Sequence, residues 1–183
     1  MKNIDNQEFK FDYVGFGTRI GATIIDILII VPIVLIITLI FKDTIIQSRE
    51  FSILLRIIIN ILIIIYKIFF TVTYGGTPGK LATKIRIISE RGNYLTVDRA
   101  FLRLLPNLFY TIISASVRHS MGNDINLGLS FLLDLILILD VSLIAFNDKK
   151  KALHDYLASS YVVTNESLLR KQGSKSVNDL YID

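Results

Sequence analysis

The chain has 183 residues, of which 52% are apolar and only 20% charged, and its mean hydropathy is +0.54. Soluble domains carry about 25% charged residues, and the apolar residues here fall in runs no water-soluble fold leaves so continuous. Lys and Arg total 20 against 16 Asp and Glu, a net charge of +4, and Cys is absent, which excludes a disulfide scaffold, a thiolate nucleophile and a Cys-ligated metal site.

Residues 1–18 are mixed polar and aromatic, with Asp5, Glu8 and Asp12. The stretch is not basic and the apolar run behind it is too long for a signal peptide. It is expected to be a cytoplasmic N-terminal segment. A first membrane span is expected over 19–41. At about 1.5 Å per residue it crosses a hydrocarbon layer of roughly 30 Å. Pro32 lies inside it, and Gly17 and Gly21 form a GxxxG that hints at close helix packing. Residues 42–51 read as a short polar turn. The second span is expected over 52–73. It carries Arg56 near one end and Lys67 near the other, both placed to snorkel to an interface.

A loop over 74–100 follows, opening on Gly75-Gly76-Thr77-Pro78-Gly79-Lys80. It fails as a P-loop, because Leu81 stands where Ser or Thr is needed. It reads as a structured turn through Gly76, Thr77, Gly79 and Lys80. Residues 83–97 read as a hairpin, with strand-like Ile85, Ile87 and Ile88 before a turn at Arg91-Gly92-Asn93. A weaker apolar segment, 101–117, is broken by Arg103, Pro106 and Asn107. Charge parity argues that it spans. Otherwise Lys149-Lys150-Lys151 would lie opposite the basic cluster of 80–99, against the positive-inside rule. A last span is expected over 127–146, enclosing Asp134 and Asp140. The polar tail from 164 to 183 is expected to be disordered.

The fold class is therefore an all-α polytopic membrane protein, with four transmembrane helices and a small cytoplasmic β-hairpin or strand element, both termini in the cytoplasm. Ionisable groups inside spans cost roughly 2.5–3.5 kcal/mol each at a helix centre. Asp26 is the clearest functional candidate. Its partner is sought among Arg103, Arg56 or a cation near the cytoplasmic face, since Arg19 lies two turns away. Asp134 and Asp140 are six residues apart, on different helix faces, and make no carboxylate dyad. They and Arg56 are secondary candidates. His154-Asp155 could move protons or form an interfacial pair. No metal-ligand spacing, cofactor motif or nucleophile–base pair is visible, so neither an enzyme nor a cofactor is expected. Nucleic-acid binding is a poor rival.

These residues resemble the RDD family, named for one Arg and two Asp. Arg19 to Asp26 looks like its opening helix, and Gly76-Thr77-Pro78-Gly79-Lys80 is similar to its turn after the second span. Arg103 stands where the family often has an Arg. Ala152-Leu153-His154-Asp155 looks like its closing motif, with Val162-Val163 as the strand behind it. The likeness covers about residues 11–164. Lys84 replaces a Gly often seen after the turn, and Ser160 stands where Thr is usual. The resemblance implies a small domain, 19–163, of multi-pass membrane type and bacterial distribution, for which transport, including cation/proton antiport, has been suggested.

Two functions follow. In the first, Asp26 alternates between a proton and a monovalent cation, with Arg19 and Arg103 tuning it and His154 and Asp155 at the cytoplasmic mouth. In the second, Arg19, Asp26, Arg103 and Asp155 are a buried polar network in a non-transporting adaptor, assembly factor or regulator. Expected partners are the lipid bilayer, monovalent cations and protons in the first reading, and a second copy or another membrane protein.

Overall fold

The computed structural model describes residues 11–121 and 143–179. Two long helices dominate. Helix α1 runs Phe16–Ile40 and α3 runs Arg49–Tyr74. Both are rich in Ile, a β-branched residue of middling helix propensity in water. In hydrocarbon no other arrangement of a single segment satisfies the backbone N–H and C=O groups, and the helix wins. These two are long and apolar enough to cross a membrane. Their apolar side chains are bare: Leu28 and Leu39 are each 68% exposed. On α1 the buried residues are Arg19, Ala22 and Asp26, one stripe at helical spacing. Gly17 and Gly21 have nothing within 4 Å of where a Cβ would stand, so among the described residues the GxxxG is not a packing seam.

The expected turn at 42–51 is mostly helix. Helix α2 occupies Lys42–Gln47, and Ser48 caps α3 by accepting the Phe51 N–H at 3.2 Å. Phe41 and Phe51 close the corner with ring centroids 5.6 Å apart. At the far end of α3, Gly75 takes φ +74, open to glycine without strain. The N–H groups of Gly75 and Gly76 then bond Thr71 and Phe70 carbonyls at 3.2 Å, a Schellman stop.

The Gly-Thr-Pro-Gly-Lys turn is a helix start. Thr77 precedes the short α4, Pro78–Ala82, with Pro at its first position. Strand β1, Ile85–Ser89, comes next. The expected hairpin over 83–97 does not form. The turn at 91–93 is present, with Gly92 N–H bonding Ser89 carbonyl at 2.8 Å, but the chain leaves it for helix α5, Val97–Met121. The partner of β1 is β2, Ser160–Thr164, antiparallel, with Ile87 opposite Val162. Tyr13 bridges Val163 on the other side of β2. Between the two strands lie a 3-10 turn, Leu143–Phe146, and the short helix α6, Leu153–Leu157. Helix α7, Asn165–Asp179, stands where a disordered tail is expected. Its Ser167 and Leu168 are buried, so it is anchored to the sheet it follows.

The core lies beside these strands, not between α1 and α3. Ile85, Ile87 and Val162 face Val14, Ala22, Leu95, Ala100 and Ala158. Ile88, Tyr161 and Val163 face Phe11 and Leu168. The sheet thus joins the start of α1, the end of α3 and the segment after α6 in one layer.

Candidate functional site

Two buried carboxylates organise that layer. The first is Asp155, on α6 and fully buried. Arg19 Nη1 lies 2.6 Å from its Oδ2, and Arg103 Nη1 lies 2.5 Å from its Oδ1. The Ala152 N–H donates to Oδ2 at 3.0 Å, and His154 Nε2 stands 3.6 Å from Oδ1. Arg19 spends its remaining donors on backbone: Nε to the Val14 carbonyl at 3.1 Å and Nη2 to the Lys150 carbonyl at 2.6 Å. Lys150 sits at φ +48, which turns that carbonyl inward. Arg103 also donates to Ser160 Oγ at 2.6 Å. One carboxylate thereby binds the start of α1 to α5, with α6 and β2 drawn in. Burial alone pushes the Asp155 carboxyl up. Arg103, His154 and Arg19 together outweigh it and hold the group well below the usual carboxylate range.

The second carboxylate is Asp26, two turns along α1 from Arg19 and 9% exposed. None of the expected cations is its direct partner. Thr77 Oγ1 donates to Oδ2 at 2.5 Å, and the Gly79 N–H donates to Oδ1 at 2.7 Å. Both donors belong to the first turn of α4, so Asp26 pins that turn against α1. The approach is close because residue 79 is glycine. A Cβ there would stand 2.1 Å from the Ala22 carbonyl oxygen and 2.8 Å from Asp26 Cγ. Lys80 Nζ reaches Thr77 Oγ1 at 3.4 Å. Asp26, Lys67 and Lys80 lie within electrostatic reach of one another.

The expected site residues therefore divide. Arg19, Arg103, His154 and Asp155 come together, and Asp26, Thr77, Gly79 and Lys80 come together. Gly76 serves the helix stop. Arg56 lies exposed on α3, away from both groups. Asp134 and Asp140, with residues 127–142 of the expected last span, lie outside the described residues. Sequence reasoning missed Ser160 as the Arg103 acceptor, and it missed Lys151. That lysine is 5% exposed. Its Nζ bonds Glu90 at 2.8 Å and sits 4.1 Å from the Tyr161 ring centroid. The hydrogen bond from Lys151 lowers the Glu90 carboxyl's pKa. A run of three lysines reads as a solvated charge patch, so nothing local marked its last member as buried. No group of three or more His, Cys, Asp or Glu could hold a metal among the described residues.

Among known proteins, the chain is similar to YckC of Bacillus subtilis (strain 168), itself uncharacterized, with 30% identity over 152 residues. The alignment covers 81% of this chain and 82% of that protein. No solved structure matches. The RDD family model matches residues 13–159. That span holds Arg19, Asp26, Arg103 and Asp155, with both helices suited to a bilayer. The chain is a membrane protein, and it belongs to the RDD family.

Proposed function

We propose that this chain is a non-transporting, non-enzymatic module of the cell membrane: an adaptor, assembly factor or regulator that acts through a fixed surface offered to another membrane protein. The carrying observation is the state of its two buried aspartates. Each oxygen of Asp26 and of Asp155 accepts a short bond from a donor on another element or from the adjoining backbone. A carboxylate that must exchange a proton for a cation needs acceptor capacity facing the ion's path. Here one acceptor site on each of those oxygens is already committed to holding α4 on α1, and α6 on α1 and α5.

Four spans with both termini in the cytoplasm fit the same picture. The pairing of β1 with β2, and of Tyr13 with Val163, puts three distant points of the chain in one layer. On this reading α1 and α3 together cross the bilayer an even number of times, as does the chain between 89 and 160. The basic residues near this layer, Lys84, Arg86 and Lys149 to Lys151, favour the cytoplasmic side.

Cation/proton exchange at Asp26 remains the rival. Both are tested by reconstituting the wild type and Asp26→Asn into liposomes with an internal pH-sensitive dye. Sodium, potassium or lithium is then added outside, and both proteins are melted in detergent. The expected result is no cation-dependent proton movement and a lower melting temperature for the variant. Flux in the wild type, lost in an Asp26→Asn protein of unchanged melting temperature, would overturn the proposal.

A further inference from the structure

The two buried clusters pair their charges differently. Around Asp155 the cations are already bonded to the carboxylate. Around Asp26 they are not. Lys67 and Lys80 both lie near it, yet its oxygens are taken by Thr77 and Gly79. Lys67 is half-buried and makes no hydrogen bond or ion pair among the described residues. Lys80, also half-buried, has only the 3.4 Å contact with Thr77 Oγ1, and it feels Arg103, Lys67 and Arg19 as like charges. The adjacent Tyr66, which also feels Asp26, has a hydroxyl shut off from solvent with no hydrogen-bond partner. Buried polar groups are rarely left so.

Among the described residues, one ammonium group and one phenol near Asp26 thus have no acceptor, and a second ammonium has only the long contact to Thr77 Oγ1. Lysine ammonium is a point charge suited to phosphate oxygens. The place is also where a basic side chain of a spanning helix meets the headgroup layer. We propose that Lys67 and Lys80 form the seat for one phosphate-bearing anion, the headgroup of an anionic lipid or a free phosphate, with the Tyr66 hydroxyl turned in as a third donor. This seat does not rest on the adaptor reading, because a transporter could hold it equally.

The test uses the full chain in a neutral detergent. Binding of phosphatidylglycerol, phosphatidylcholine and inorganic phosphate is followed by native mass spectrometry and thermal shift at constant ionic strength. The expected result is one phosphatidylglycerol retained per chain and a saturable rise in melting temperature. Phosphatidylcholine should give neither. A saturable rise with inorganic phosphate alone would keep the seat and assign it to free phosphate. Lys67→Gln, which removes no protein contact and should fold, is expected to weaken binding roughly tenfold, the loss of one charge-assisted bond. Lys80→Gln should do the same. Arg91→Gln, an exposed change elsewhere on the basic surface, should not. Equal affinity in the wild type and both lysine variants would overturn the proposal. So would an Arg91→Gln loss as large as theirs, or retention of phosphatidylcholine as strong as that of phosphatidylglycerol.

Discussion

Asp26 and Asp155 are both buried, and both anchor α1. They are neutralised by different means. Asp155 is held by two guanidinium groups at 2.6 and 2.5 Å. Asp26 is held by a hydroxyl and a backbone N–H at 2.5 and 2.7 Å. The first is an electrostatic knot whose strength depends on every charge staying in place. The second is a geometric clasp, in which a carboxylate and a glycine let one helix rest on the backbone of another. Removing charge should therefore damage the Asp155 cluster more than the Asp26 cluster, and adding volume should damage the Asp26 cluster.

The largest effect is expected from Asp155→Asn. It leaves Arg19 and Arg103 facing a neutral amide in a closed site. Breaking a buried ion cluster by removing one partner costs about 3–5 kcal/mol. Asp26→Asn should cost less, about 1–3 kcal/mol, since the Thr77 hydroxyl can rotate to accept from the new amide. Melting both variants in the same detergent orders them, and equal losses would break the distinction. A pH series sharpens it. The folded carboxyl of Asp155 lies below its ordinary value, so its contribution is fully present above the unfolded value of about 3.9. It is lost as pH falls from there through the folded value. Wild-type melting should drop over that acid range, and the drop should be smaller in Asp155→Asn. An equal acid loss in both proteins would place the sensitive group elsewhere.

Next in size is Gly79→Ala. The added methyl would stand 2.1 Å from the Ala22 carbonyl oxygen and 2.9 Å from the Asp26 nitrogen. These are backbone atoms of α1, so α4 must back away and the Asp26–Gly79 bond lengthens. Overpacking of this kind costs about 1–3 kcal/mol, occasionally more. Gly21→Ala is the matched control on α1, where nothing among the described residues lies within 4 Å, and it should not lower the melting temperature. If both substitutions are silent, α4 does not rest on α1 as described.

These contrasts mark what could be read from the residues. Helices α1 and α3 were legible, because a continuous apolar run has one stable solution in lipid. Family resemblance grouped Arg19, Asp26, Arg103 and Asp155 as one network; that Asp26 stands apart from the other three was not legible. The partners of Asp26 were not legible. A search for a countercharge passes over a threonine hydroxyl, and no sequence shows which backbone N–H will be free. The partner of β1 was missed for a related reason. A turn at 91–93 promises a local hairpin, while β2 lies some seventy residues on with only Val162-Val163 to announce it. In the tail, Leu168 and Leu169 are too few to signal an amphipathic helix among polar neighbours, yet Leu168 is buried and anchors α7.

The smallest expected effect joins the two clusters through the backbone between them. Lys84 links α4 to β1 at φ +56. Its N–H bonds the Leu81 carbonyl at 3.0 Å, and its carbonyl accepts the Asn165 N–H at 2.8 Å, so the conformation is held from both sides. A side chain in that left-handed region costs roughly 1–2 kcal/mol. Lys84→Gly removes that strain but makes the unfolded chain looser by about 0.5–1 kcal/mol. The net gain should be about 0.5–1 kcal/mol, read as a small rise in melting temperature. Lys84→Ala keeps the Cβ and loses only the charge, so it should show no such rise. A gain in both would assign the effect to relief of charge in the basic layer rather than to the backbone.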